Sequence, residues 1–226
     1  MAKFEKIIIE NNENLLIRKF TSLLKQKIRK KKKGRFSLVL TGGNSPIKLY
    51  QKLSKAKNIN WKKVDFFIAD ERYVEKNSKN SNIKMCQKYL LGKIKILNSQ
   101  IYEISTDNIT LKESALDYEK KIKKYFLNKK ISFDMVLLGV GEDGHIASLF
   151  KKNINKNSHK NVDFVKRKDF FRITLTLKCL NNSKTTFLWI PGIKKINIVE
   201  KILMDRKNKY PVSFLNTKNN FLFHCY

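Results

Sequence analysis

The sequence predicts an α/β fold: one domain built on a mostly parallel sheet that is flanked by helices. Short apolar segments alternate with amphipathic segments along the chain, which is the pattern of interleaved strands and helices. The apolar segments, such as FSLVL at residues 36–40, lack the polar alternation of half-exposed strands, as expected for strands buried on both faces. Neither a repeat nor a linker-like stretch divides the 226 residues, so we predict a single domain over residues 1–226.

The first third of the chain predicts three strands separated by helices. A run of isoleucines indicates a strand over residues 4–9, and apolar residues at three- and four-residue spacing indicate a helix over residues 14–33. The apolar run at residues 36–40 is the second strand, and a helix over residues 47–53 follows it, with a proline suited to its first turn. The segment VDFFIA predicts a third strand over residues 64–69.

The remainder of the chain continues the alternation. Helical spacing predicts helices over residues 82–91 and 111–127, with a short strand over residues 101–104 between them. The most apolar segment predicts a strand over residues 133–140, and the Asn- and Lys-rich segment 151–160 predicts a loop. Further strands are predicted over residues 171–177, over residues 185–190 and in the tail from residue 210.

The charge balance is strongly basic. The chain has 49 Lys and Arg against 19 Asp and Glu, a formal net charge of +30, and most of the basic residues are Lys. They are spread along the chain, and Lys lacks the planar fork with which Arg reads bases and phosphates, so we interpret them mainly as solvated surface residues. The dense block at residues 29–33 is predicted to be a solvated helix end capped by Gly34. We therefore expect no specific nucleic-acid partner.

Several classes of protein are disfavoured. No apolar run approaches the ~20 residues of a membrane span, and the first ten residues do not resemble a secretory signal, so we expect a cytoplasmic protein with no membrane partner. Cys86, Cys179 and Cys225 form no CxxC pair, so neither a disulfide framework nor a zinc site is predicted. We expect neither a metal nor a cofactor.

Three polar clusters follow predicted strands, and ligands of open parallel sheets bind outside the carboxyl ends of the strands. The first cluster contains Gly42, Gly43 and Asn44 and precedes a helix. Paired glycines let the backbone approach a ligand closely, and a helix N-terminus favours an anion. The cluster lacks the Lys of a P-loop and the third glycine of a dinucleotide site, so a sugar phosphate or mononucleotide fits better, although a plain tight turn is an alternative.

The second and third clusters carry charged side chains. Asp70, Glu71 and Arg72 follow the strand over residues 64–69, with a surface ion pair as the alternative interpretation. The third cluster is a glycine-rich turn in which Asp143 lies two residues before His145. A histidine oriented by a carboxylate is suited to general-base chemistry, whereas the alternative is a structural histidine in a turn.

Two later basic residues are candidates for binding a phosphate. Arg172 opens a strand with an alternating pattern, and Lys195 follows a Pro-Gly pair near the start of a helix. By position alone, the solvated surface residue is the favoured interpretation for both, as for each of the 49 basic residues.

The order of the motifs adds a family resemblance. The chain contains, in order, LVLTGGNSP, VDFFIADERYV followed by SN, FDMVLLGVGEDGHIASLF and RITLT. This order resembles the 6-phosphogluconolactonase family over about residues 36–210. The resemblance implies a modified Rossmann-like sheet, which the glucosamine-6-phosphate deaminases share. Arg72 stands where deaminases typically have Tyr, and Phe150 stands where they have Glu, so the resemblance favours the lactonase branch.

The resemblance also implies roles for the site residues. His145 would be the general base that activates water, and Asp143 would set the charge and geometry of the site. Asp70 and Arg72 would line the substrate pocket, with Arg72 as a polarising or phosphate-binding cation. The groups that would hold the sugar ring or its phosphate are Gly42, Gly43, Asn44, Arg172 and Lys195.

The implied reaction is hydrolysis of 6-phospho-D-glucono-1,5-lactone to 6-phospho-D-gluconate. There are two alternatives: an amino-sugar-phosphate isomerase or deaminase of the same fold, and a basic nucleic-acid-binding protein. Two departures from the family pattern stand out: Asn44 and Ser45 replace the common Ser-Thr, and Lys151 and Lys152 replace the usual Pro-Gly.

Overall fold

The computed structural model describes residues 4–205, 207 and 209–226; residues 1–3, 206 and 208 of the predicted domain lie outside it. Its centre is a seven-stranded sheet with the order β1-β10-β9-β6-β2-β3-β5, in which each recorded strand pair is parallel. The strands are β1 (Lys6–Glu10), β2 (Phe36–Leu40), β3 (Val64–Ile68), β5 (Ile101–Tyr102), β6 (Met135–Gly139), β9 (Thr185–Pro191) and β10 (Asn219–Cys225).

The α-helices flank this sheet, which confirms the predicted α/β class. They are α1 (Glu13–Lys30), α2 (Ile47–Ser54), α3 (Asn82–Tyr89), α4 (Leu111–Tyr125), α5 (Leu177–Asn181) and α6 (Ile196–Leu203). Side-chain caps begin several of them; Thr110, for example, accepts a hydrogen bond from the backbone N–H of Glu113, whose carboxylate reaches back to Thr110.

The sheet is buried because its central strands carry almost no polar side chains. Every residue of β2 and β3 is buried, as the apolar runs predicted. Phe20 of α1 packs edge-on against Phe187 and Phe223, with ring centroids 5.3 and 5.9 Å away, and so joins the helix to neighbouring strands.

A second, three-stranded sheet was not predicted. It is antiparallel and consists of β4 (Asp70–Arg72), β8 (Phe171–Leu175) and β7 (Val162–Lys166). From the sequence we predicted only β8, as a longer strand over residues 171–177. We interpreted residues 70–72 as a polar cluster that follows a strand. The register of the small sheet pairs Arg72 directly with Arg172 and thereby brings two distant parts of the chain together.

The end of α1 also differs from the prediction. The helix ends at Lys30 with Lys31 as its C-cap, and Gly34, at φ +69°, lies beyond it as part of the following turn. The prediction of a wholly solvated block is wrong for Lys31, whose ammonium lies 2.7 Å from a carboxylate oxygen of Asp134. Asp134 is buried directly before β6, so this ion pair joins the end of α1 to the central sheet.

Two buried tyrosines fix the carboxyl ends of adjacent strands. The Tyr50 hydroxyl donates to the carbonyl of Thr41 and accepts from its N–H, at 2.8 and 3.1 Å. The Tyr118 hydroxyl binds both backbone groups of Ile68 in the same way, at 2.8 and 2.9 Å. Each hydroxyl thus satisfies a backbone donor and acceptor at the sheet edge where the polar clusters begin.

None of the helices in the part of the chain described by the structure is long and apolar enough to span a membrane.

We predict that Asp134→Asn lowers the free energy of unfolding by about 2 kcal/mol, since the buried carboxylate accepts hydrogen bonds from Lys31, Lys184 and Ser37. Chemical denaturation at neutral pH measures this loss. The matched control is Asp163→Asn at the exposed Lys160–Asp163 pair, which we expect to cost less than about 1 kcal/mol. Equal losses in the two variants would contradict the assignment.

The effect of Asp134 also depends on pH. Burial raises its pKa, but the hydrogen bonds from Lys184, Lys31 and the Ser37 N–H outweigh burial and hold the pKa below its ordinary value of 3.8. Because folding lowers this pKa, the stabilisation is present above pH 3.8 and is lost as the pH falls through the lowered value. The difference between the wild-type protein and Asp134→Asn therefore shrinks in acid.

Candidate functional site

A cavity of about 230 Å³ lies at the carboxyl ends of β2 and β6, beside the small sheet. The three polar clusters of the sequence all contribute to it, as their positions after parallel strands predicted. Its lining is formed by Thr41, Gly42, Gly43, Ser45, Asp70, Arg72, Asn82, Gly139, Val140, Gly141, His145, Ala147, Arg172 and Lys195.

The glycine turn after β2 is shaped by close packing. Gly43 has φ +81°, a backbone conformation that favours glycine. Gly42 faces the side chain of Asn82 so closely that a Cβ atom would lie 2.0 Å from the amide oxygen. Thr41 ties the turn to the neighbouring strand, because its hydroxyl accepts a hydrogen bond from the N–H of Gly139 at 3.2 Å. The backbone of this turn is therefore open to the cavity and held in place.

Asn44 occupies a different position from the one expected. It is exposed and does not line the cavity, where Ser45 lies instead. Its carbonyl accepts a hydrogen bond from the N–H of Ile47 at 3.2 Å and so helps to start α2.

Asp70 and Glu71 have separate tasks, and neither forms an ion pair with Arg72 in the described part of the chain. Asp70 lines the cavity, and its carboxylate accepts a hydrogen bond from the hydroxyl of Ser148 at 2.6 Å. Glu71 points to the N-terminus of α3, where it accepts from the N–H groups of Asn82 and Ile83. Burial raises the pKa of Glu71 to about 7, although these N–H groups lower it.

Ser148 joins the loop that carries the histidine to the small sheet. Besides its bond to Asp70, its backbone N–H donates to the hydroxyl of Thr174 in β8 at 3.2 Å. The residue is fully buried. The sequence analysis missed the hydrogen bond between Ser148 and Asp70, because a serine in a loop does not indicate a carboxylate partner that lies far away along the chain.

The histidine and the aspartate of the third cluster are in direct contact. The Nδ1 atom of His145 lies 2.5 Å from a carboxylate oxygen of Asp143, which also accepts from the backbone N–H of His145 at 3.2 Å. Burial raises the pKa of Asp143, but these hydrogen bonds outweigh it and lower the pKa below its ordinary value. An ionised Asp143 only accepts, so Nδ1 carries a proton, and in the neutral imidazole Nε2 is then the nitrogen with the free lone pair.

The apolar wall beside the histidine is Phe150. The centroid of its ring lies 4.4 Å from that of His145. The guanidinium of Arg167 also packs on the Phe150 ring, 3.9 Å from the centroid. Phe150 is buried, so it limits the access of water to one side of the imidazole.

Three cations surround the cavity. The Nε atoms of Arg72 and Arg172 are buried without a hydrogen-bond partner among the described residues. Arg172 also bonds Asp169 through Nη2 at 2.5 Å, and the ammonium of Lys195 lies 3.8 Å from Glu142. These unused donors and positive charges favour an anionic ligand.

Asp169 stays ionised beside these cations. Its slight burial raises its pKa, but hydrogen bonds from the N–H of Phe170 and from Arg172 lower the pKa to about 2. Among the described residues, no three His, Cys, Asp or Glu side chains are grouped as potential metal ligands.

The sequence analysis also did not name Thr41, Ser45 and Asn82 as site residues, although all three line the cavity. Asn82 stands in the SN pair that follows the second cluster, and this pair was the one signal that could have indicated it. Thr41 and Ser45 lie inside the first motif, but their types alone do not distinguish them from ordinary turn residues.

A parallel sheet with glycine turns, a histidine–aspartate pair and three cations at its strand ends defines an α/β enzyme of anionic small molecules. The chain belongs to the glucosamine-6-phosphate isomerase/6-phosphogluconolactonase family, whose model matches residues 11–223. This membership confirms the family resemblance of the sequence motifs.

Individual relatives agree with the family assignment. The 6-phosphogluconolactonase of Thermotoga maritima is 32% identical over 176 residues, which are 76% of this chain and 77% of the relative. That of Synechocystis is 27% identical over 220 residues, 94% of this chain and 91% of the relative.

Solved structures share the whole fold. The crystal structure of the Thermotoga maritima 6-phosphogluconolactonase matches with a TM-score of 0.84 and 29% identity, over 97% of this chain and 99% of that chain. The 6-phosphogluconolactonase from Trypanosoma cruzi matches with a TM-score of 0.86 and 25% identity, over 99% and 96%.

We predict that Gly141→Ala displaces the imidazole of His145 while the protein stays folded. An added Cβ would lie 2.1 Å from Nδ1 and Cε1 of the ring, and a side chain can move away more easily than backbone. NMR of the histidine ring protons would show the loss of the Nδ1–Asp143 hydrogen bond. Gly139→Ala is the control, since its Cβ would meet only the Thr41 hydroxyl at 3.7 Å and should leave the His145 signals unchanged.

Proposed function

We propose that the protein hydrolyses 6-phospho-D-glucono-1,5-lactone to 6-phospho-D-gluconate, with His145 as the general base. The observation that carries this proposal is the short contact between His145 and Asp143 at the edge of a cavity that Arg172 and Lys195 also line. Relatives named 6-phosphogluconolactonase support the substrate. The reaction is a step of the pentose phosphate pathway.

The proton chemistry follows from the orientation of the imidazole. Asp143 holds the Nδ1 proton, so Nε2 accepts a proton from a water molecule as that water attacks the lactone carbonyl. Asp143 then stabilises the imidazolium. When the tetrahedral intermediate collapses, the ring C–O bond breaks and the alkoxide leaving group takes the proton from Nε2 of the imidazolium, which restores the neutral base. A lactone is an activated ester, so the attack requires no covalent enzyme intermediate.

The negative charge that develops on the carbonyl oxygen needs donors. Arg72 is suited to this task because its Nε–H is buried and has no partner among the described residues, while Nη1 is fixed by the carbonyl of Asn80 at 2.9 Å. The N–H groups of the glycine turns are the second source of donors. A donor that is already fixed in place stabilises the transition state without reorganisation.

The phosphate is assigned to Arg172 and Lys195. They come from β8 and from the segment after β9, and they supply two positive charges at one side of the cavity. Binding of the non-reacting phosphate holds the lactone ring near His145. The binding free energy of the phosphate therefore supports catalysis, although the phosphate lies away from the bond that breaks.

The amino-sugar alternative is less well supported. Deaminases of this fold typically carry Glu at the position of Phe150, and here an apolar ring packs against His145. The cytoplasmic location and the lack of a specific nucleic-acid partner stay predictions from the sequence.

Purified protein should accelerate hydrolysis of the phosphorylated lactone above its spontaneous rate, and His145→Ala should lower kcat by about 10²–10⁴-fold because the base is lost. A pH-stat or a coupled assay for 6-phospho-D-gluconate measures both rates. His159→Ala, at an exposed histidine in the loop before β7, is the control and should keep full activity. Near wild-type turnover by His145→Ala would refute the base assignment, and ammonia release from glucosamine 6-phosphate would favour the alternative.

Arg172→Ala and Lys195→Ala should each raise KM for the phosphorylated lactone by about tenfold or more, with a smaller effect on kcat, because each removes a charge that binds the phosphate. Unphosphorylated D-glucono-1,5-lactone should be hydrolysed equally by the variants and the wild-type protein. Lys194→Ala, at the exposed neighbouring lysine, is the control. An unchanged KM in both variants would overturn the phosphate assignment.

A further inference from the structure

Asn82 is a buried amide in the cavity that the proposed reaction does not use. It is the first residue of α3, its exposed fraction is 2%, and it lines the same cavity as His145 and Arg72. A polar side chain at this depth needs hydrogen-bond partners for both its donor and its acceptor atoms.

The orientation of the amide is fixed by its nitrogen. Nδ2 donates to the carbonyl of Asp70 at 2.8 Å, which identifies the other amide atom as the oxygen. The backbone N–H of Asn82 donates to Glu71 at 2.7 Å, so the residue is held at the start of α3 from both sides.

The amide oxygen, in contrast, has no partner. Oδ1 of Asn82 is buried without a hydrogen-bond donor among residues 4–205, 207 and 209–226. A Cβ atom on Gly42 would lie 2.0 Å from Oδ1, so the absence of a side chain at this glycine is what lets the amide pack against the turn. An acceptor that is held in place and buried without a partner, on a residue that lines a ligand cavity, is suited to receive a hydrogen bond from a ligand.

The charges around Asn82 restrict the class of the donor. Arg72 and Arg172 line the same cavity, so an ammonium donor would meet positive charge. A phosphate dianion or a carbonyl oxygen has no hydrogen to donate. A neutral hydroxyl group has one, and a sugar lactone carries several of them.

We propose that Oδ1 of Asn82 accepts a hydrogen bond from a ring hydroxyl of the sugar lactone and makes the enzyme selective for substrates that carry this hydroxyl. The inference rests on the proposed lactonase function. Asn82 is thereby a specificity-determining residue: it recognises the polyhydroxylated ring, whereas Arg172 and Lys195 bind the phosphate.

The test compares 6-phospho-D-glucono-1,5-lactone with its 2-deoxy, 3-deoxy and 4-deoxy analogues. In the wild-type protein, we expect one analogue to lose about tenfold or more in kcat/KM, because it leaves the acceptor unpaired. In Asn82→Ala, kcat/KM for the complete lactone should fall while that for the same analogue changes little, so that their ratio approaches one. The ratio is measured within one variant and does not depend on the amount of folded protein.

The matched control is Asn161→Ala. Asn161 is also a buried asparagine, but its amide binds Glu119 outside the cavity, at 3.0 Å. This variant should lose stability and keep the wild-type ratio for each analogue, which separates recognition of the hydroxyl from the loss of a buried amide.

Two results would overturn the proposal. One is a wild-type protein that hydrolyses all three deoxy analogues as efficiently as the complete lactone, a measurement that needs no variant to fold. The other is an Asn82→Ala variant that discriminates as the wild-type protein does. If the wild-type protein hydrolyses none of the lactones, the proposed function itself fails, and the role of Asn82 fails with it.

Discussion

The site depends on how the backbone groups at the carboxyl ends of the central strands are satisfied. Beyond the last ladder bond, the N–H and carbonyl groups of a buried strand need new partners. Tyr50 and Tyr118 supply them for Thr41 and Ile68, each with a single buried hydroxyl. The Thr41 hydroxyl then binds the N–H of Gly139. The glycine turns on β2 and β6 are therefore fixed relative to each other before any ligand is bound, and so are the side chains that they carry into the cavity.

The small antiparallel sheet supplies the second half of the site. It lays Arg72 beside Arg172, an arrangement that like charges oppose. The carbonyl of Asn80 and the carboxylate of Asp169 offset this repulsion, one on each arginine. Ser148 hydrogen-bonds to Asp70 and Thr174, so the strands that carry Arg72 and Arg172 are joined directly to the loop that carries His145.

Local sequence patterns predicted the features that depend on neighbouring residues alone, such as the strands of the central sheet and the turns that follow them. The apolar runs gave the central strands, and turn chemistry placed the glycine and histidine clusters at their ends. What the sequence could not indicate depends on partners far away along the chain. Residues 70–72 form a strand because β8 pairs with them, and Lys31 is partly buried because it pairs with the buried Asp134. Asn82 is a similar case, because its isolated amide oxygen exists only once α3 packs against the turn at Gly42.

The carboxylates beside the two cations that we propose to bind the phosphate change how a net charge of +30 should be understood. Arg172 already holds Asp169, and Glu142 lies near Lys195. A phosphate that binds as proposed would exchange with these carboxylates, and its net gain in binding free energy would be the difference between the new and the old ion pairs. A monovalent anion gains little from such an exchange, whereas a dianion that bridges both cations gains from each. On the proposed phosphate assignment, selectivity for a phosphate monoester would therefore depend on this competition inside the pocket more than on the lysines of the surface.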